Sequence, residues 1–223
     1  MAGQKHILFV GAGAIGGLYA ARLAAVANVT VLDTNREHAA AIRRDGLALS
    51  GKSELLVRVE AFASATEMGR RRVDAAILLV KSQATEAAFR AIEPFLEGRP
   101  LLVTFQNGMG NEEILMRLTD LDVAHGVSFE AARYDGPGCI QHLVHGEESW
   151  LGPARGSVES VEWLGELMTR AGLPTRVAAD PRGAIWGKFI FNSVMNPIGA
   201  IVQGVNAARY NVPEMRALID DMA

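Results

Sequence analysis

The sequence predicts an α/β protein, a doubly wound parallel sheet over residues 1–178 followed by the beginning of an all-helical domain over 179–223. Three observations predict it. A strand, a glycine loop, a helix and a second strand follow one another within residues 5–32. Short continuous apolar runs then alternate with amphipathic stretches, the pattern of parallel strands covered on both faces. Last, the apolar helical stretch 184–203 carries three polar residues at four-residue spacing, Lys188, Asn192 and Asn196.

Residues 5–10 form an apolar run that reads as the first strand. Gly11, Ala12, Gly13, Ala14, Ile15 and Gly16 follow at once, then a helical pattern over 18–26 and a strand over 29–32. This is the Rossmann-type dinucleotide-binding unit, and all six loop residues are candidates for holding the cofactor. Gly11 allows the tight turn, Gly13 lets the backbone approach the pyrophosphate, and Gly16 lets the helix pack on the strand. The helix N-terminus offers amide donors and a partial positive charge. The first 27 residues also resemble a signal peptide, but five glycines and Arg22 interrupt the apolar run, and cleavage would remove the partner of strand 29–32. Asp33 ends the second strand, where a carboxylate accepts hydrogen bonds from the adenosine ribose and repels a 2′-phosphate. That favours NAD. Arg36, three residues on, offers the opposite, a guanidinium able to clamp a phosphate. Asp33 also reads as an N-cap for the next helix, which suits either cofactor.

Residues 37–44 read as a helix ended by Gly46, and 47–50 and 55–59 as short strands around Gly51. The runs 75–80 and 101–104 read as buried strands, with an amphipathic helix over 83–95 between them. Ligands of a doubly wound sheet sit outside the carboxyl ends of its strands. Lys81 and Asn107 fall there, the latter in Gln106-Asn107-Gly108-Met109-Gly110, whose glycines permit a sharp turn. Either residue alone reads as an ordinary cap or turn; together they point to a site. Residues 123–152 are β-like, with Gly136-Pro137-Gly138 predicting a hairpin. A helix is predicted over 157–171, with Ser157 as N-cap and Gly172 just past its end, then a strand over 173–177. Asp180-Pro181 opens the last helical region.

On that helix each four-residue step drifts about 40° around the axis, so Lys188, Asn192 and Asn196 form a slanting polar stripe. Pro197 lacks an N–H and crowds the carbonyl of Ser193, so a bend is expected beside Asn196. The formal charge of −3 and the lack of a long basic run speak against nucleic acid, and no apolar run is long enough to span a membrane. Cys139 is the single cysteine; it reads as a strand residue, fits a reducing compartment and leaves no intrachain disulfide. No metal site is expected. His142 and His145, three apart in a strand, should point to opposite faces and share no metal, and Glu112-Glu113 reads as solvated surface or helix-start charge.

Gly11–Gly16, Val80-Lys81, Gln106–Gly110, Trp186-Gly187-Lys188 and Asn192–Pro197 occur in the order seen in ketopantoate reductases, the 2-dehydropantoate 2-reductases of the PanE/ApbA type. The resemblance covers most of residues 5–204, including 137–142 and 151–155. It implies hydride transfer from NAD(P)H to the ketone of a 2-keto acid in pantothenate biosynthesis, in the cytoplasm. Lys188 is similar to the family's catalytic lysine. Asn107 resembles the residue that orients nicotinamide and that lysine, and Lys81 a lysine bordering the cofactor. Asn192 and Asn196 resemble the amides that hold the substrate; Asn107 and Lys188 complete that set. The family is typically NADP-linked, with a basic residue where this chain has Asp33-Thr34-Asn35, so NAD against NADP stays open. Family chains also continue through further helices that supply a serine and a glutamate. This chain stops at Ala223, in a stretch that reads as a helix just begun, so a C-terminal truncation is expected. An unfinished helical domain exposing apolar surface would suit a homodimer. A dehydrogenase of the same plan with another hydroxy, keto or opine substrate stays open, as does a non-catalytic NAD(P)-binding protein.

Overall fold

A computed structural model describes residues 4–202 and 212–222. The chain forms two compact units, 1–181 and 182–223. Unit 1 is built on an eight-stranded sheet in the order β14-β13-β10-β9-β7-β1-β2-β5. Its central strands, β1 (His6–Val10), β2 (Asn28–Leu32), β7 (Ala75–Leu78), β9 (Leu101–Thr104) and β10 (Val123–Val127), pair in parallel, as does the edge strand β5 (Glu60–Phe62) on β2. Alternate residues of β1 feed two separate cores. Ile7 and Phe9 pack with Leu18 and Leu23 of α1 (Ala14–Leu23) and Leu164 of α6 (Glu159–Arg170). Leu8 and Val10 pack with Phe89 and Ile92 of α4 (Thr85–Ile92) and Leu115 of α5 (Asn111–Leu118). Burial on both faces is why these strands are apolar without alternation.

The sheet is not wholly parallel. β13 (Ser149–Arg155) runs antiparallel to β10, with β14 (Thr175–Val177) parallel beyond it. No helix crosses over between β10 and β13; the chain leaves the large sheet, makes a hairpin and returns at the same end, which reverses the strand. The hairpin, β11 (Ala131–Gly136) and β12 (Cys139–Val144), turns at Pro137-Gly138 as the sequence predicts. It joins β3 (Leu47–Gly51) and β4 (Leu55–Val57) in a four-stranded sheet, β12 parallel to β3. That sheet lies against α1. A Cβ on Gly17 would sit 2.7 Å from the Ile140 side chain, so Gly17 sets this second approach.

Several local expectations change. Helix α1 starts at Ala14, inside the glycine motif and four residues before the expected start at 18, and ends at Leu23. Asn35, not Asp33, caps α2 (Arg36–Asp45), its side chain accepting from the His38 amide. Ser157 is not a cap; α6 follows Val158, and Gly172 lies past its end at φ +78° as expected. The stretch 83–95 divides into two 3-10 turns around α4. Helix α3 (Ala65–Met68), β5, α5 and the short pair β6 (Arg71–Arg72) with β8 (Leu96–Glu97) have no counterpart in the sequence reading.

Unit 2 contains α7 (Arg182–Val202) and α8 (Pro213–Met222). Val194, Met195 and Ile198 of α7 bury against Ile219 of α8, with Met215 beside them. Gln203, the expected end of the stripe helix, lies outside the described residues. No helix among the described residues is long and apolar enough to cross a membrane.

Candidate functional site

The glycine loop leaves β1 at Gly11, which has φ +92° and lies so near β7's exit that a Cβ would be 3.0 Å from the Leu79 carbonyl carbon. A Cβ on Gly16 would stand 2.0 Å from the Gly11 carbonyl oxygen. Gly16 therefore sets the closeness of helix and strand. Gly13 differs: nothing lies within 4 Å of where its Cβ would be. It precedes α1 in extended conformation, no side chain caps the helix, and no acidic residue stands in its first turn. The α1 amides thus present positive character toward open space. Ala14 and Ile15 are half-buried and Ala12 fully buried.

Asp33 is tied to this loop. Its Oδ2 accepts from the Ala12 amide at 2.8 Å and its Oδ1 from the Asn35 amide at 2.9 Å. A carboxylate oxygen accepts more than one hydrogen bond, so Asp33 retains acceptor capacity while its orientation is set. His38, which nothing in the sequence singled out, holds the loop from the other side. Its Nδ1 accepts from the Gly138 amide at 2.9 Å, so Nε2 carries the proton and donates to the Ala12 carbonyl at 2.9 Å. Buried His38 thus links the glycine loop to the hairpin turn. Arg36 is exposed at the start of α2.

Lys81 and Asn107 are both exposed, just past β7 and β9. The structure brings their segments together through residues the sequence reading passed over. Ser82 Oγ donates to the Asn107 carbonyl at 3.1 Å, and Asn111 Nδ2 lies 3.3 Å from Ser82 Oγ and 3.4 Å from that carbonyl. Beneath them, Gln106 Nε2 donates to the Val80 carbonyl and to Thr85 Oγ1, both at 2.8 Å, and its Oε1 accepts from Thr104 Oγ1 at 2.8 Å. Gln106, Thr85, Thr104 and Asn111 are buried. Gly108 and Gly110 adopt φ +91° and +89°, turning the chain into α5. Gln106 was visible as part of the motif; its inward direction was not, because a strand-end glutamine reads as solvent-facing.

On α7, Lys188 and Asn192 are half-buried and Asn196 is exposed, the progression expected of a drifting stripe. Burial lowers the Lys188 pKa below the ordinary lysine value. The helix runs through Pro197 as one element, and Ser193 Oγ donates back to the Phe189 carbonyl at 2.8 Å.

Two readings of charged groups change: Glu112 and Glu113 stand in the first turn of α5 as helix-start charge, but Glu112 is not solvated. Glu112 is paired with the buried His125, Nδ1 to Oε2 at 3.0 Å. Burial pushes its carboxyl pKa up, but the contact with His125 outweighs this and holds it below the ordinary value. His142 and His145 do not diverge. β12 ends at Val144, so strand alternation does not reach His145, and both rings meet the carboxylate of Glu130.

A family model described as ketopantoate reductase PanE/ApbA matches residues 7–156. The chain is 34% identical over 202 residues to a 2-dehydropantoate 2-reductase of Pyrococcus horikoshii, covering 91% of this chain and 65% of that relative's length. A PanE/ApbA family ketopantoate reductase from Ralstonia eutropha superposes with a TM-score of 0.83 at 29% identity, over 97% of this chain and 70% of that one. D-mandelate dehydrogenase, in a ternary structure with NADH and anilino(oxo)acetate, shares the fold at a TM-score of 0.87 and 21% identity, over 96% of this chain and 70% of that one. With its glycine loop, strand-end pair and lysine–asparagine helix, the chain belongs to the PanE/ApbA ketopantoate reductase family.

Proposed function

We propose that the protein reduces 2-dehydropantoate, or a closely similar 2-keto acid, to the 2-hydroxy acid with NAD(P)H, a step of pantothenate biosynthesis. The observation that carries this reading is the contrast within the glycine loop: Gly11 and Gly16 are required by the chain's own packing, whereas Gly13 faces open space beside uncapped helix amides. That is what a pyrophosphate needs and the fold alone does not. In this reading residues 1–178 are the dinucleotide-binding domain, and 179–223 belong to a helical substrate domain. The cofactor supplies the hydride. Residues 11–16 bind its pyrophosphate, Asp33 its adenosine ribose, and Asn107 orients the nicotinamide with Lys81 bordering it. Lys188 holds a proton on Nζ and delivers it to the ketone oxygen as negative charge grows there, an interaction strongest in the transition state. Its lowered pKa makes that proton easier to give. Asn192 and Asn196 bind the hydroxyl and carboxylate ends of the substrate, with Asn107 and Lys188.

The test is consumption of NADH and NADPH at 340 nm with 2-dehydropantoate. Lys188→Ala should lower turnover by at least about 100-fold while leaving dinucleotide affinity within a factor of about two. Absence of turnover with either cofactor would overturn the assignment. Asp33, held by two backbone amides, supports NADH as the preferred cofactor; tighter binding of NADPH in a fluorescence titration would refute that preference. The reading includes a cytoplasmic location, supported by the single cysteine, which is a free thiol. It also includes a homodimer, supported by the exposed Trp186, Ile190 and Phe191 of α7.

A further inference from the structure

The geometry points to a divalent-cation site, of zinc type, formed by Glu130, His142 and His145 at the junction between the eight-stranded and four-stranded sheets of unit 1. Two imidazole nitrogens and a carboxylate oxygen from these residues lie within 4.8 Å of one another. His142 Nε2 is 2.7 Å from Glu130 Oε2, and His145 Nδ1 is 3.0 Å from Glu130 Oε1. Ligand atoms on a tetrahedral zinc stand about 3.3 Å apart, so entry of the ion needs the two histidine–glutamate pairs to open by only about half an ångström. Two histidines and a glutamate are a common zinc-ligand set, and imidazole with carboxylate suits zinc over magnesium or calcium.

Three further observations support the site. The carboxylate of Glu130 is 1% exposed and meets two imidazoles, groups that bring positive charge only when protonated. A buried carboxylate is costly without a compensating cation, and a divalent ion at this point supplies it. Next, the outer shell needed to hold a ligating ring is in place. For His142 to bind metal through Nε2, its proton must reside on Nδ1. That nitrogen lies 2.6 Å from Ser53 Oγ, which accepts an N–H there while also accepting from Arg22 Nη2 at 2.6 Å. Finally, an entry path exists: the His145 side chain is 46% exposed, leaving room for a solvent ligand.

The position gives the ion a role. Glu130 lies in the connection from β10 to the hairpin, and His145 in the connection from the hairpin back to β13. These two connections cross at close range, a Cβ on Gly146 being placed only 2.1 Å from the Phe129 carbonyl oxygen. A cation bridging them clamps the four-stranded sheet onto the large sheet, at the end of α1 opposite the glycine loop.

The experiment uses tag-free, chelator-stripped protein titrated with Zn²⁺ by calorimetry, and with Co²⁺ by visible absorption. One Zn²⁺ per chain should bind and raise the melting temperature, and Co²⁺ should give the d–d bands of a low-coordinate imidazole site. His145→Ala, a change at a half-exposed side chain, should leave the metal-free melting temperature in place and weaken Zn²⁺ by more than about tenfold. Glu130→Gln should weaken it likewise, and His6→Ala should not. Absence of stoichiometric Zn²⁺ binding, or undiminished binding by His145→Ala, would overturn the proposal and leave the cluster as a hydrogen-bonded trio. If Glu130→Gln does not fold, His145→Ala and the Co²⁺ spectrum decide.

Discussion

Two glycines of one motif make different demands, and that separates folding from binding. At Gly16 a methyl group would meet the Gly11 carbonyl oxygen at 2.0 Å, and both partners are backbone, so neither yields easily. Gly16→Ala should cost about 2–4 kcal/mol in urea unfolding. Gly13→Ala meets nothing within 4 Å at an ordinary φ of −61°, so its stability should stay within about 1 kcal/mol while NAD(P)H affinity falls by more than about tenfold. Equal losses of affinity and stability in the two variants would defeat this division. Lys188 makes a prediction in pH. Its folded pKa is lowered by burial, so between that value and the unfolded one near 10.5 the unfolded chain binds more protons, and stability rises with pH through that window. Below it the cost of holding the ammonium is present in full. Lys188→Met should therefore melt higher than the parent at pH 7, with the advantage shrinking as pH approaches 10. An advantage independent of pH over that range would show that charge burial is not its source. The spacing of Lys188, Asn192 and Asn196 was legible in sequence because helix period alone sets it. His38 and Glu130 were not, because each acts through partners that only the tertiary fold brings to it.

At the scale of elements, the strand ends work as a joined pair. Gln106 Nε2 and Oε1 reach the Val80 carbonyl, Thr85 and Thr104, which join the turn after β7 to the turn after β9. Gln106→Ala leaves several buried polar groups without this partner, at about 1–3 kcal/mol for each group stranded. A loss of about 2–4 kcal/mol is expected from the shift in urea midpoint. Asn107→Ala, at an exposed tip, should change stability by no more than about 0.5 kcal/mol yet impair turnover. Similar destabilisation by the two would show that the buried glutamine does not hold the turns. The parallel strands were legible because apolar runs buried on both faces have a simple signature. The pairing of β12 with β3 was not, since Cys139 and Ala48 are joined only by the tertiary fold. The antiparallel return of β13 was hidden for the same reason: periodicity marks a strand but not its direction.

The molecule as a whole divides its stability unevenly. Unit 1 has two layers of core on either side of a central sheet, with Ile7, Phe9, Leu8, Ile77, Leu78 and Leu102 fully buried. The core cluster described in unit 2 consists of Val194, Met195, Ile198 and Ile219. Fully burying a side chain of this kind contributes about 1.5–3 kcal/mol, while ordering each residue's backbone costs about 1–2 kcal/mol. Four such side chains therefore oppose the ordering of only a few residues. Local opening should follow that ratio, because amides exchange through the cheapest opening that exposes them. Hydrogen exchange followed by mass spectrometry should show α8 and the C-terminal half of α7 exchanging at least about 100-fold faster than β1, β7 and β9. Met195→Ala should speed exchange in α7 and α8 further without altering the central strands, since it removes a side chain from the small cluster alone. Protection of α8 equal to that of β7 would mean that the cluster around Ile219 does not set its local stability.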